Sequence, residues 1–256
     1  SVPVLVKFTG PLRRGAGNFS LADLPLELLA LLTPVPAGLR GRLSLQGRYR
    51  LGTPQPELAL NISLVDGYLR ETALVLERST IQLEQARLLL DLSLRAAGAS
   101  SSVELAGVVP LDSGQQGLEL RLASRDDGLR FLAGLAQPAL QWNQGSGDLQ
   151  LLVRGSVREP IANGFLRFRG VQLQFIGQKV HDVDATVLFD FEQLLLQEFN
   201  AKVGDKGVVR GQGSLGLFRP EATADGKDAN LEVELEKVPF AMPRINAVAD
   251  GALQIG

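Results

Sequence analysis

Cysteine is absent from the 256 residues, and histidine and tryptophan occur once each. Without thiols there are no disulfides, no thiol nucleophiles and no cysteine metal sites. With a single histidine as well, no nucleophile, base and orienting group can be assembled. No catalytic or metal-binding residue is therefore assigned, no cofactor is expected, and the chain is expected not to be an enzyme. Aromatic residues make up only 5%, with two tyrosines beside the one tryptophan. That is too few for the aromatic girdles of an outer-membrane barrel. A formal charge of -2 leaves no positive excess to condense on phosphates, so no nucleic-acid partner and no basic membrane patch are expected. The richest apolar run, Leu21 to Leu39, is broken by Asp23, Glu27 and prolines well short of the ~20 residues a spanning helix needs. No basic segment followed by a short apolar stretch marks a leader, so an excised, non-spanning piece is expected.

What the chain has is repetition. "GRLSLQGRYRLGTP" from Gly41 returns as "GDLQLLVRGSVREP" from Gly147, 106 residues on (147 − 41), and "GALQIG" at Gly251 begins it again. "LLALLTP" ending at Pro34 and "FLAGLAQP" ending at Pro138 keep step, as do "VELAG" ending at Gly107 and "VRGQG" ending at Gly213. Fixed-period self-similarity marks a repeat architecture. The expectation is one continuous repeat-built β domain over 1–256. Its approximate repeats are 41–146 and 147–250, with partial repeats 1–40 and 251–256, cut from a longer protein.

Within each repeat apolar residues alternate with polar ones, the period of a strand with one apolar face. The apolar sets are Leu58, Leu60, Ile62 and Leu64; Leu90, Leu92 and Leu94; Leu118, Leu120 and Leu122; Leu149, Leu151 and Val153. They continue as Val171, Leu173 and Phe175; Val183, Ala185, Val187 and Phe189; and Leu231, Val233 and Leu235. Turn-forming residues separate the runs at 65–67, 112–117, 204–207 and 224–230. Only about Leu21–Leu32 and Asp126–Ala136 look helical. The fold class is all-β, a long antiparallel meander with one or two short helices.

Leucine is the usual inward residue although strands favour β-branched and aromatic side chains. Flexible aliphatic chains suit a surface that accommodates something deformable. A fully buried Leu or Val contributes roughly 1.5–3 kcal/mol, so the face must be covered. A second sheet, the same sheet curling over, or an apolar ligand would serve. About fifteen strands at ~4.8 Å spacing give an unbroken sheet roughly 70 Å long and ~20 Å wide, which must bend into a trough to hide one face.

Motifs with chemical meaning are weak. "GQGSLG" (Gly211–Gly216), with Glu232 and Glu234 about twenty residues on, fits a dinucleotide fingerprint, but "LFRP" follows where a helix is required. His181 beside Asp182, Asp184 and Asp190 reads as a solvated strand edge, and Arg125, Asp126 and Asp127 read as a helix start. "FLRFRG" (Phe165–Gly170) is ordinary alternation rather than a stacking platform for single strands. Trp142, in the turn-like "QWNQGSG", is expected to cap the end of a repeat. Asn18 and Asn61 open N-x-S sequons, which matter only on a eukaryotic secretory route.

Taken together, "GxLxLxxxG…P" at 41–54 and 147–160, the strand pairs after it and "VRGQGSLGLF" at 209–218 resemble the TamB group of bacterial envelope proteins and its plastid relatives, and more distantly the AsmA-like proteins. The segments around Asp112–Gly117 and Pro220–Ala229 are not matched between the copies. The resemblance implies an elongated curved half-pipe, a "β-taco", with an apolar inner groove, from the C-terminal type of repeat region. It implies a long protein anchored in the inner membrane and crossing the periplasm or plastid intermembrane space. The partners implied are a phospholipid or other acyl ligand, an outer-membrane Omp85-type barrel protein and β-strand clients, in lipid movement or outer-membrane protein assembly. The groove would be the apolar sets given above, without catalytic residues. A dry, self-packed structural spacer is the alternative.

Overall fold

The structure is a computed structural model, and it describes residues 4–11, 13–31, 36–136, 139–217, 229–242 and 245–255. Fifteen strands are hydrogen-bonded in chain order, β1 through β15, in one antiparallel sheet whose order does not return from β15 to β1. The all-β meander expected from the alternation is thus what the chain forms. Two compact units divide it: Ser1–Leu122 with Arg154–Pro160, and Ala123–Val153 with Ile161–Gly256.

The first unit carries β1 (Leu5–Thr9), β2 (Gly15–Pro25), a 3-10 turn η1 (Leu26–Leu31), β3 (Leu39–Leu51), β4 (Glu57–Leu69), β5 (Thr72–Glu84), β6 (Arg87–Ala96), β7 (Val103–Pro110) and most of β8 (Leu118–Ser124). The second carries η2 (Gly128–Ala136), most of β9 (Leu140–Gly155), and β10 (Pro160–Phe175), β11 (Gln178–Phe191), β12 (Gln193–Val203), β13 (Gly207–Gly216), β14 (Ala229–Met242) and β15 (Ile245–Ile255).

Several local expectations are corrected. Asp66–Gly67 is no turn but a bulge inside β4, with Asp66 at φ +50; β4 turns into β5 only at Arg70–Glu71. A bulge re-aims a strand without ending its pairing. The Leu21–Leu32 helix shrinks to η1, because Leu24 and Pro25 still pair with Leu43 and Arg42 in the sheet. "QWNQGSG" is strand within β9 rather than a turn, whereas the helical segment expected at about Asp126–Ala136 is present as the 3-10 helix η2, Gly128–Ala136. Pro34, Pro138, the 224–228 part of the expected turn and most of the Pro220–Ala229 segment lie outside the described residues.

The bulges also align the backbone of the two copies locally. A Cβ on Gly41 (φ +139) would sit 2.9 Å from the Asp66 carbonyl oxygen and 2.9 Å from Gly67 Cα. A Cβ on Gly145 (φ +102) would meet the Gly170 oxygen at 2.8 Å and Val171 Cα at 2.4 Å. Only glycine tolerates both the positive φ and the close strand. The conformational counterpart of Gly41 is therefore Gly145, 104 residues on (145 − 41), rather than Gly147. Asp66 and Gly170, both at positive φ, share that spacing (170 − 66).

Candidate functional site: the apolar sheet face

Cross-strand register joins the alternating residues into rows. In the first unit one row runs Phe8, Phe19, Gly47, Leu60, Ile81, Leu90, Gly107, each opposite the next from β1 to β7. Leu120 continues it, since its Cα lies 2.9 Å from the Cβ position of Gly107. On either side lie Leu45 opposite Ile62, Leu92 opposite Leu105, and Tyr49, Leu58, Leu83, Leu88 and Val109 in line. Leu64 faces Leu43, and Leu94 faces Val103.

The second unit repeats the arrangement. Gly164, Phe189, Leu194 and Leu215 form one row, and Leu151 joins it with its Cα 2.9 Å from the Gly164 Cβ position. A second row is Leu166, Val187, Leu196, Gly213 and Leu231, and a third passes through Ala185, Phe199, Gly211 and Val233. Leu149 and Val153 flank Leu151 on β9, and Leu235 faces Val209. Val171 faces Val183, Leu173 faces Val180, and Phe175 is exposed at the β10–β11 tip.

Burial divides this face. Leu58, Leu60, Ile62, Leu64, Leu90, Leu92 and Leu94 are all half-buried, and so are Leu149, Leu151, Val153, Val187, Phe189, Leu231, Val233 and Leu235. Dry packing occurs instead mainly where the strands turn: Leu69, Leu74, Ala96 and Ala99 in the first unit, Val171, Val183, Ala201 and Val203 in the second. There η2 contributes buried Leu129 and Ala133, and Leu129 fills the space that the missing Cβ of Gly147 leaves. Trp142 is buried and meets Phe168 edge-on at 5.6 Å.

Sequence reading missed Phe8, Phe19, Ile81, Leu83, Leu105 and Leu215 as members of the face. The runs Leu88–Leu89–Leu90 and Leu194–Leu195–Leu196 hide the period, because every position is apolar and no face can be chosen.

The opposite face is polar and forms shallow hollows in each unit. One hollow, ≈ 430 Å³, spans β1–β5; Lys7, Ser20, Gln46 and Asn61 stand in line across it, beside Asn18, Arg48, Ala59 and Gln82. Another, ≈ 390 Å³, spans β12–β15 around Arg210, with Glu198, Glu232 and Glu234.

The remaining chemical candidates are structural. "GQGSLG" is β13 strand. His181 Nε2 lies 3.0 Å from the Gly204 carbonyl oxygen and Nδ1 3.3 Å from Asp182. Lys202 donates to Asp182 at 2.9 Å, and that bond, followed by the one from His181, holds the Asp182 carboxyl below its usual range. Asp184 accepts from the Gly170 N–H at 3.0 Å, locking a bulge. Asp126 and Asp127 use their carbonyls in the turn before η2, accepting from Gly147 and Arg130. Arg167 stacks over Phe165 at 5.4 Å on one strand. Among the described residues no three acidic, histidine or cysteine groups could hold a metal ion, and no helix is long and apolar enough to cross a membrane.

Over 126 residues, 48% of its length, the chain is 28% identical to the protein of Arabidopsis thaliana called "Protein TIC236, chloroplastic". It spans 6% of that relative's length. No family model matches the chain, and no solved structure matches it. The similarity is distant and partial: it supports a TamB-like chain in general and is in keeping with a plastid or envelope setting.

Proposed function

We propose that the chain is a non-catalytic segment of an envelope-spanning protein whose leucine-rich face shelters apolar cargo, phospholipid acyl chains first among them. The carrying observation is the row Phe8, Phe19, Gly47, Leu60, Ile81, Leu90, Gly107, which crosses β1 to β7 without one buried member. A half-buried Leu forgoes much of the roughly 1.5–3 kcal/mol that full burial would supply, and a deformable acyl ligand would recover it. Similarity to a chloroplast protein supports a plastid or envelope setting, within which this reading assigns the plastid intermembrane space or the bacterial periplasm. An Omp85-type barrel and β-strand clients pairing at a sheet edge belong to the same reading as partners. Cargo would diffuse along the rows, and direction would come from elsewhere.

The second reading, a dry self-packed spacer, draws on the buried residues Leu69, Leu74 and Ala96 in the first unit and Val171 and Val183 in the second. Mass spectrometry of organic extracts from gently purified protein separates the two. Stoichiometric phospholipid in the natural chain, lost in Leu60→Arg and Leu151→Arg variants that keep their β circular dichroism, is the expected result. A lipid-free, monomeric natural chain would favour the spacer.

A further inference from the structure

The hollow on the polar face of β1–β5 differs from the β12–β15 hollow in its charge pairing. Several arginines of this sheet meet carboxylates across strands, as Arg50 does with Glu57 and Arg78 with Glu104. In the β12–β15 hollow Asn200 donates to Glu198 at 2.6 Å, Gln212 to Glu232 at 2.9 Å and Arg210 to Glu234 at 3.3 Å. In the β1–β5 hollow no carboxylate lines the wall. Lys7 and Arg48 make no ion pair among the described residues, and the amides of Asn18, Gln46, Asn61 and Gln82 have no side-chain partner there. Ala59, in line with Arg48 and Gln82, leaves the floor open.

From this geometry we infer that the hollow is a binding site for a phosphate ester of a polyol. Its two unpaired cations stand two strands apart and two residues along, about 12 Å between backbone positions, so that their long side chains can close on one phosphate from both sides. An amide both donates and accepts, which matches hydroxyl groups, and the carboxylates of Glu57, paired with Arg50, and Glu84 line the adjoining hollow beyond Arg48 rather than this one. The hollow is of the size of small-ligand pockets, which begin at about 300 Å³. Phe19, Gly47 and Leu60 of the apolar row line the hollow between its polar rows, so the site adjoins the acyl-sheltering face there.

Isothermal titration with sn-glycerol 3-phosphate, with glycerol as control, tests the site on the whole chain. Saturable binding is expected, absent for glycerol and weakened at least tenfold in Arg48→Gln and in Lys7→Gln. It should be unchanged in Arg210→Gln and in Leu151→Arg; the Leu151 variant separates this site from the cargo face. Competition by phosphatidylglycerol vesicles, with none by phosphatidylcholine, would identify a lipid headgroup as the source. Binding without competition would identify a free phosphorylated polyol. No saturable binding by glycerol phosphate or by vesicles, or equal weakening in Arg210→Gln, would overturn the assignment; circular dichroism establishes that each variant is folded.

Discussion

The β1–β5 and β12–β15 hollows are made by the same pleat, with polar residues at alternate positions opposite an apolar row. In the second, Glu198, Glu232 and Glu234 take up the donors of Asn200, Gln212 and Arg210, and the surface is closed on itself. In the first, no carboxylate lines the wall, and Lys7 and Arg48 make no ion pair among the described residues. Repetition of the backbone therefore does not impose repetition of surface chemistry. The strand pattern constrains which face a residue occupies, and outward positions are free to differ between copies. The apolar rows, by contrast, recur with their glycines, because those positions answer to the neighbouring strand.

That contrast is sharpest at Gly107 and Gly213, both near φ +150 and 106 residues apart (213 − 107). A Cβ would lie 2.0 Å from the Glu119 oxygen at one and 2.1 Å from the Asn230 oxygen at the other, backbone atoms that cannot turn aside. Gly107→Val and Gly213→Val should each cost about 3 kcal/mol or more in urea denaturation. A clearly smaller loss at one of them would break the equivalence of the two copies.

A smaller effect distinguishes the hollows. Arg210→Gln removes exposed pairs with Glu234 and Glu236 and should cost about 0.2–1 kcal/mol, diminishing as salt is raised. Arg48→Gln has no pair to lose, so its denaturation midpoint should not move with salt relative to the natural chain.

The smallest effect concerns the bulges. Arg42 ties Asp66 at 2.6 Å in the first unit, and Lys202 ties Asp182 at 2.9 Å in the second. Because the Asp182 carboxyl is held below its ordinary range, it contributes stability above the unfolded-chain value, and loses it as pH falls through the lowered one. In Lys202→Ala the NMR titration midpoint of Asp182 should rise toward the ordinary carboxylate range. An unmoved midpoint would mean that His181, not Lys202, sets it.

Much of the fold was legible because period 2 survives wherever apolar and polar residues take turns, as at Leu58–Leu64 and Leu231–Leu235. It failed where local composition and sheet pairing disagree. "VDG" has turn chemistry, yet Asp66 accommodates a positive φ within a bulge while the strand continues. The real turn, Arg70–Glu71, carries no glycine, proline or asparagine to announce it. Leu24 and Pro25 sit in a leucine-rich, helix-like stretch and nonetheless pair with β3. The cationic hollow was illegible for another reason: whether an amide has a partner depends on what stands opposite it two or three strands away.

The order of the sheet has a kinetic meaning. Each strand's partner is the strand made just before or just after it, so no strand has to wait for a distant one to pair. Such contacts carry little loop-closure cost and allow growth from any formed hairpin. A chain delivered end first through a narrow opening could thus zip onto its own leading edge as it emerges. The exposed stretch would never be longer than the next hairpin, and pulling on one end would peel strands away singly in the reverse order.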